Sequence, residues 1–334
     1  MATDANSGRP SWVFRTQFND IDAQAAQFKG YGQQYQQLGP GPFEGRFCSF
    51  DFGADLSIHL EGANRALAQS ASTPPRRYAA CLLAEASPPC TLNGVTFGQD
   101  QVVVCPENKS LEGMTSEGMS IFCMDVSRDL LPDDGWQMRR AGVMKDAARS
   151  RHLRELLQSG LATFTSLESP ASYPAAARSF KSAVADSLWQ LNAGVEDSAS
   201  SETRHYTTAR ALRVFRRARD NIHHSLADGI SIVTLCKETG VSRRSLESVF
   251  RSVIGRGPGN YIRALQLNHI RRDLMCGSNA EVSIGVIAAR HGIWHWSRFS
   301  HSYRLLFGEL PSETRIYARL SENRHAVRKV RADS

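Results

Sequence analysis

At 334 residues the chain exceeds what one core of ordinary size can hold, so two or three domains are expected. No run of about 18 apolar residues is present and Met1–Pro10 is polar, which excludes a membrane-spanning helix and a secretory signal from the reading and makes the cytoplasm the expected compartment. The net charge of +7 hides an asymmetry, because residues 1–200 carry 17 Lys+Arg against 22 Asp+Glu while residues 201–334 carry 23 against 11. An acidic body joined to a strongly basic end predicts a polyanionic partner for that end.

Residues 12–140 are expected to be β-rich. Short apolar segments at Phe47–Phe52, Leu56–Leu60, Tyr78–Ala84, Gln101–Val104 and Ser120–Val126 are separated by the turn signals Gly39-Pro40-Gly41-Pro42, Pro74-Pro75, Pro88-Pro89 and Asn93-Gly94. Many short strands at this spacing predict a sandwich or a barrel. A metal-dependent enzyme built on such a barrel needs several histidines, and His59 is the only one between residues 1 and 151. No metal and no cofactor is therefore expected, and His59 reads as a hydrogen-bonded barrel residue. Gly-rich phosphate loops and Ser/His/Asp arrangements are absent, so the expectation is that the chain is not an enzyme. Arg76 and Arg77 read as part of a solvated loop, with pairing to an anionic effector as the alternative. The candidate effector-binding residues are thus His59, Arg76 and Arg77.

Seven cysteines, at 48, 81, 90, 105, 123, 236 and 276, show no CxxC and no zinc-ligand spacing, and read as reduced and structural. Cys81 and Cys236 are assigned to the core as small hydrophobes. A redox sensor needs an exposed thiolate of low pKa, and no cysteine has convincing basic neighbours except Cys81, after Arg76 and Arg77. A DNA-alkyl transferase is excluded because Cys90, preceded by Pro89, is followed by Thr91 where the reactive Pro-Cys-His-Arg element needs His.

Residues 141–192 are expected to be a helical interdomain or dimerisation region. Leu153, Leu156, Leu157, Leu161 and Phe164 form one helical stripe. Ala177, Phe180, Val184, Leu188 and Leu191 form another, opened by Ser172 and Pro174. Both stripes must be buried, either on the β domain or against a second subunit. Residues 193–206, small, polar and acidic at their start, read as a linker.

The basic domain is expected over residues 207–320. A helix from about Ala209 to Leu226 leads in, with Leu212, Phe215 and Ile222 as its core side. A pattern then occurs twice, 53 residues apart: Leu246, Phe250, Gly255 and Pro258 are answered by Phe299, Tyr303, Gly308 and Pro311. Upstream the offset is 52, since Ser231, Ile232, Leu235 and Gly240 correspond to Ser283, Ile284, Ile287 and Gly292. Each copy reads as a Ser-capped helix, a turn at Gly and a second helix, which is a helix-turn-helix. On the first of these second helices Leu246, Val249, Phe250 and Val253 are inward by spacing, leaving Arg243, Arg244, Glu247, Ser248 and Arg251 outward. On the other, from about His295 to Phe307, Trp296, Ser297, Arg298, Ser300, His301 and Arg304 are outward. Outward residues near the start of such a helix are those that meet base edges in the major groove, where Arg pairs with guanine and Glu accepts from cytosine. Trp294 reads as packing under the turn, and Trp296 as a contact to a thymine methyl or a sugar. A helix over Asn260–Met275, preceded by a break at Pro258-Gly259, joins the two copies.

The stretch from about 209 to 320 resembles the AraC/XylS family of bacterial transcription regulators, whose pattern stands here as ISIVTLCKETGVSRRSLESVFRSVIGRGPGNYIRALQLNHIRRDL followed by VSIGVIAARHGIWHWSRFSHSYRLLFGELPSETR. It departs from the usual pattern in having Ile293 after Gly292, where Phe is usual. The resemblance implies two recognition helices in successive major grooves on one face of double-stranded DNA, a helical turn apart. It also implies an N-terminal effector-binding, dimerising domain with a cupin-like β-barrel, which the β-rich reading of residues 12–140 fits.

The fold class expected is therefore α+β and multidomain: a β-rich, cupin-like sensor of barrel or jelly-roll type with a helical dimerisation region, then an all-α domain of two helix-turn-helix units. The function expected is a sequence-specific regulator, an effector-responsive activator, whose partners are promoter half-sites, RNA polymerase, a small-molecule effector and a second copy of the chain, with no membrane. The alternatives are an enzyme, cupin-type or redox, carrying a DNA-binding appendage, and a ligand-independent architectural DNA binder.

Overall fold

The computed structural model describes residues 11–131, 142–167, 169–193, 199–227 and 229–320. The chain divides into two compact units, Met1–Tyr35 with Phe43–Arg210, and Gln36–Pro42 with Ala211–Ser334.

In the first unit the strands are β1 (Val13–Phe18), β2 (Gln34–Gln37), β3 (Gly45–Asp51), β4 (Leu56–Ala63), β5 (Leu67–Ser72), β6 (Arg77–Leu83), β7 (Cys90–Leu92), β8 (Val95–Phe97), β9 (Val102–Cys105), β10 (Ser110–Thr115), β11 (Met119–Ser127) and β12 (Gly142–Met144). They form two sheets, in the orders β1-β3-β4-β11-β6-β9-β12 and β2-β5-β10-β7-β8. Strand alternation gives the larger sheet two different faces. One face sends Phe47, Leu83, Val103 and Ile121 into a core shared with Tyr35, Leu67, Cys90 and Phe97 of the smaller sheet. The other sends Phe50, Ile58, Leu82, Val104 and Phe122 against α2 (Ala147–Ser166) and α3 (Tyr173–Ala193). A sheet covered on both faces must be apolar on both, which is why β9 (VVVC) is buried at every position.

The two helical stripes are buried as a pair on this sheet, Leu153, Leu157, Leu161 and Phe164 meeting Phe180, Val184, Leu188 and Leu191, with Leu156 only partly buried at the edge. The helices approach closely because Gly160 lacks a side chain: a Cβ there would stand 2.1 Å from the Phe180 ring. Asn93-Gly94 makes the two-residue turn between β7 and β8, both residues at positive φ (49° and 73°), as the right-handed strand twist favours.

Three expectations for this part are corrected. The strand β12 lies within residues 141–192, taken as wholly helical, because Met144 completes the sheet edge by pairing with Val102. Helix begins again at Ala199, so residues 199–206 extend the lead-in helix α4 (Ala199–His224) where a linker was expected. The turn Gly39–Pro42 groups with the C-terminal unit.

The second unit takes up α4 from Ala211, followed by α5 (Ile232–Thr239), α6 (Arg243–Ile254), α7 (Pro258–Met275), α8 (Ile284–Arg290) and α9 (Trp296–Phe307), and residues 311–320 are helical. The Ser hydroxyls at 231, 242 and 283 accept from the backbone N–H three residues on, capping α5, α6 and α8. Gly240, Gly255 and Gly308 end α5, α6 and α9 in the left-handed conformation. The supposed break at Pro258-Gly259 is the first turn of α7, with Pro258 at its start, where a missing N–H costs no helical bond. Asn268 on α7 is 1 % exposed. It accepts from the Gln37 N–H at 3.0 Å and donates to the Gln37 carbonyl at 3.1 Å, which fixes residues 36–42 to this unit.

Candidate nucleic-acid interface

The first helix-turn-helix is assembled around Phe215, Phe250 and Tyr261, whose rings meet edge-on at 5.0–6.1 Å and bring α4, α6 and α7 together. With Leu246, Phe250, Val253 and Ile254 buried, α6 presents Arg243, Arg244, Ser248 and Arg251 to solvent. Glu247 is half-buried, held by Arg251 at 3.0 Å one turn on. Val249 is half-buried rather than buried, since it lies between the inward and outward arcs of the helix. Cys236 on α5 is likewise half-buried, where its counterpart in the repeat, Ala288, is fully buried.

The second unit repeats the scaffold with different contacts. Phe299, Tyr303 and Phe307 meet in edge-on and tilted contacts along the inner side of α9, and Tyr303 shares a hydrogen bond of 2.9 Å with Thr314. Burial pushes the Tyr303 hydroxyl up to about 12. Arg271 of α7 lies over the Phe307 ring at 4.9 Å and pairs with Glu309, and Asp273 of α7 meets His291 at 2.9 Å. These contacts fasten the second copy to the connecting helix. Outward on α9 are Trp296, Ser297, Arg298, His301 and Arg304, with Ser300 half-buried. Ile293 is 2 % exposed and keeps the apolar turn position that Phe usually fills.

The tryptophans correct the sequence reading. Trp294 is 69 % exposed, whereas Trp296, 49 % exposed, rests its ring on the bare backbone of Gly285 in α8. The absent side chain at Gly285, in the first turn of α8, leaves room for one edge of the Trp296 ring, the rest of which stays exposed. Trp294 thus stands in solvent just before α9 begins, beside the outward residues of that helix.

The first unit contains two concavities of interest. One, of about 70 Å³, lies between the sheets and is lined by Phe28, Tyr31, His59, Glu61, Cys81, Cys123 and Asp125, among others. His59 shares a hydrogen bond of 3.0 Å with Ser49 and stacks on Phe47; burial lowers its pKa to about 4, so it is neutral. Arg77 pairs at 2.6 Å with Asp125 of the lining, whereas Arg76 pairs with Asp129 on an exposed loop. Glu61 is buried and accepts from Tyr35 and Gln24 at 2.6 and 2.7 Å, and its burial raises its carboxyl pKa. The second concavity, about 630 Å³ between the sheet and α2, is lined by Arg15, Arg46, Leu60, Phe122, Gln158 and Leu161 among others, and no sequence motif marked it. Among the described residues no group of three His, Cys, Asp or Glu is placed to hold a metal ion, and no helix is long and apolar enough to cross a membrane.

A family model described as a helix-turn-helix domain matches residues 235–316. A XylDLEGF operon transcriptional activator of Pseudomonas putida is 40 % identical over 100 residues, 30 % of this chain and 31 % of the relative. The regulatory protein HrpB of Ralstonia nicotianae is 31 % identical over 120 residues, 36 % of this chain and 24 % of the relative. The chain thus spans about a third or less of the length of these curated relatives. Among solved structures, the AraC-like transcriptional activator CuxR is 18 % identical, covering 76 % of this chain and 93 % of that one, with a TM-score of 0.43. Two helix-turn-helix units in series, each opened by a Ser-capped helix, together with the matched segment, carry the conclusion: the C-terminal part of the chain is a helix-turn-helix domain similar to that of a XylDLEGF operon transcriptional activator.

Proposed function

We propose that the protein is a sequence-specific DNA-binding transcription regulator whose α6 and α9 enter successive major grooves of a promoter half-site. The observation that carries this reading is the pair of 12-residue helices, each buried along one side and each presenting a basic outer face, on a strongly basic unit. Arg243, Arg244, Glu247, Ser248 and Arg251 read one part of the site, and Trp296, Ser297, Arg298, Ser300, His301 and Arg304 read the other, with Trp294 added. Because the two faces differ in composition, each subunit reads an asymmetric half-site.

The N-terminal unit is the sensor in this reading, a cupin-like fold acting as a homodimer that passes effector binding on to DNA contact and RNA polymerase. Activation is favoured because the Pseudomonas putida relative is described as a transcriptional activator. The groove beside α2 has the volume of a small-molecule site, and the inner cavity with His59 holds only a few waters.

Selection of the full chain on a pool of random duplexes tests the reading. An asymmetric site with two contacted blocks about one helical turn apart is expected. Uniform recovery of all duplexes at every salt concentration would sink sequence-specific recognition.

A further inference from the structure

Cys81 and Cys123, 42 residues apart in the chain, stand directly opposite each other on β6 and β11. Their sulfurs are 3.7 Å apart, and both side chains line the inner cavity. The register continues the row, since Cys123 also faces His59 on β4. Other thiols stand near Cys81 but are placed differently: Cys105 is opposite Ala79, and Cys90 belongs to the other sheet. Cys123 alone shares both a strand register and a sulfur contact with Cys81.

We propose that Cys81 and Cys123 are a paired oxidation site that hydrogen peroxide converts to a reversible disulfide. The cavity selects the oxidant by size. At about 70 Å³ it has room for about five to seven waters, at about 10–15 Å³ each, so peroxide fits where a bulky disulfide reagent does not. In the first step the Cys81 thiolate attacks one peroxide oxygen. An S–O bond forms, the O–O bond breaks, and the departing hydroxide takes up the proton released by Cys81, giving a sulfenic acid and water. In the second step the Cys123 sulfur attacks the Cys81 sulfur. The S–S bond forms, the S–O bond breaks, and the hydroxide leaves with the Cys123 proton as a second water. Two thiols and one peroxide thus become one disulfide and two waters. The hydrogen bond with Cys81, together with burial, raises the Cys123 pKa, which disfavours Cys123 as the attacking thiolate and fits it to the resolving step. An S–S bond is about 2.05 Å long, so the sulfurs must close by about 1.7 Å across one strand pair.

The test uses the full chain, with Cys276→Ala to remove the exposed thiol from side reactions. The protein is treated with hydrogen peroxide while folded, then alkylated, digested without reductant and mapped by mass spectrometry. A Cys81–Cys123 cross-linked peptide, absent before treatment and lost on reduction, is expected as the main product. In Cys123→Ser the Cys81 sulfenic acid should persist and be trapped by dimedone, whereas in Cys81→Ser no dimedone adduct should form at Cys123. Pairing of Cys81 with Cys90 or Cys105, or unmodified Cys81 and Cys123 at peroxide doses that oxidise Cys276 in the unsubstituted chain, would overturn the proposal. The mapping of the Cys276→Ala protein needs neither pair variant to fold.

Discussion

Arg244 lies in the first turn of α6 and Arg298 in the first turn of α9, both exposed and neither committed to a carboxylate among the described residues. Replacing each with Ala should lower preference for the selected site by about 1–3 kcal/mol, the worth of one bidentate base contact. Equal losses on selected and random duplexes, measured by titration at one salt concentration, would make both residues phosphate contacts instead. Glu247 differs, because its carboxylate already holds Arg251 and must give up that pair to read a base. An exposed i,i+4 pair contributes only about 0.3–0.5 kcal/mol, so the exchange is within reach of a good base contact. At Asn268 the expected effect is on stability. Asn268→Ala leaves the buried N–H and carbonyl of Gln37 unpaired, at a cost of about 1–3 kcal/mol per group. Urea unfolding should then find Asn268→Leu no better than Ala, since filling the space restores neither hydrogen bond. Rescue by Leu would show that volume alone matters there.

At the scale of elements, local chemistry and close approach set different things. Ser caps set where α5, α6 and α8 start and left-handed glycines where α5, α6 and α9 stop, and each is readable from a few adjacent residues. Packing of α2 on α3 instead depends on Gly160 meeting Phe180 across 20 residues of chain. Gly160→Ala should therefore destabilise the chain by about 1–3 kcal/mol, despite the better helix propensity of Ala, because the added carbon overpacks the contact. A rise in the urea midpoint would contradict the close approach. The same logic explains the tryptophans. Sequence position put Trp294 under the turn, but the space that accepts an indole edge is over Gly285 and is filled by Trp296, which only the folded arrangement of α8 and α9 decides.

For the whole molecule the charge split and two half-buried histidines make predictions about solution conditions. With the basic residues concentrated after residue 200, DNA affinity should fall steeply with salt, and removing one phosphate-contacting Arg should reduce the log–log slope by about one. His59 and His269 are each lowered by burial from 6.5 to about 4, Arg272 adding to the effect at His269. The folded chain therefore keeps both neutral below pH 6.5, where the unfolded chain takes up protons. Stability is full above about 6.5 and falls as pH drops towards about 4. Thermal melts across that range should show the decline, with a smaller slope in His269→Gln. An unchanged slope would place the acid sensitivity elsewhere.

The sequence by itself determined the helix-turn-helix pair, its buried and exposed faces, the strand-rich N-terminal part and the apolar stripes of α2 and α3. Those features repeat every 2 or 3.6 residues or sit in a single cap, so neighbours in the chain suffice to encode them. Tertiary structure alone decided which sheet face the stripes cover, which tryptophan packs on α8, and that Gln37 joins the basic unit. It also paired Cys81, read from its neighbours as a core residue, with Cys123 at a cavity wall. Strand register makes that pairing, and register is set only when distant strands close into one sheet.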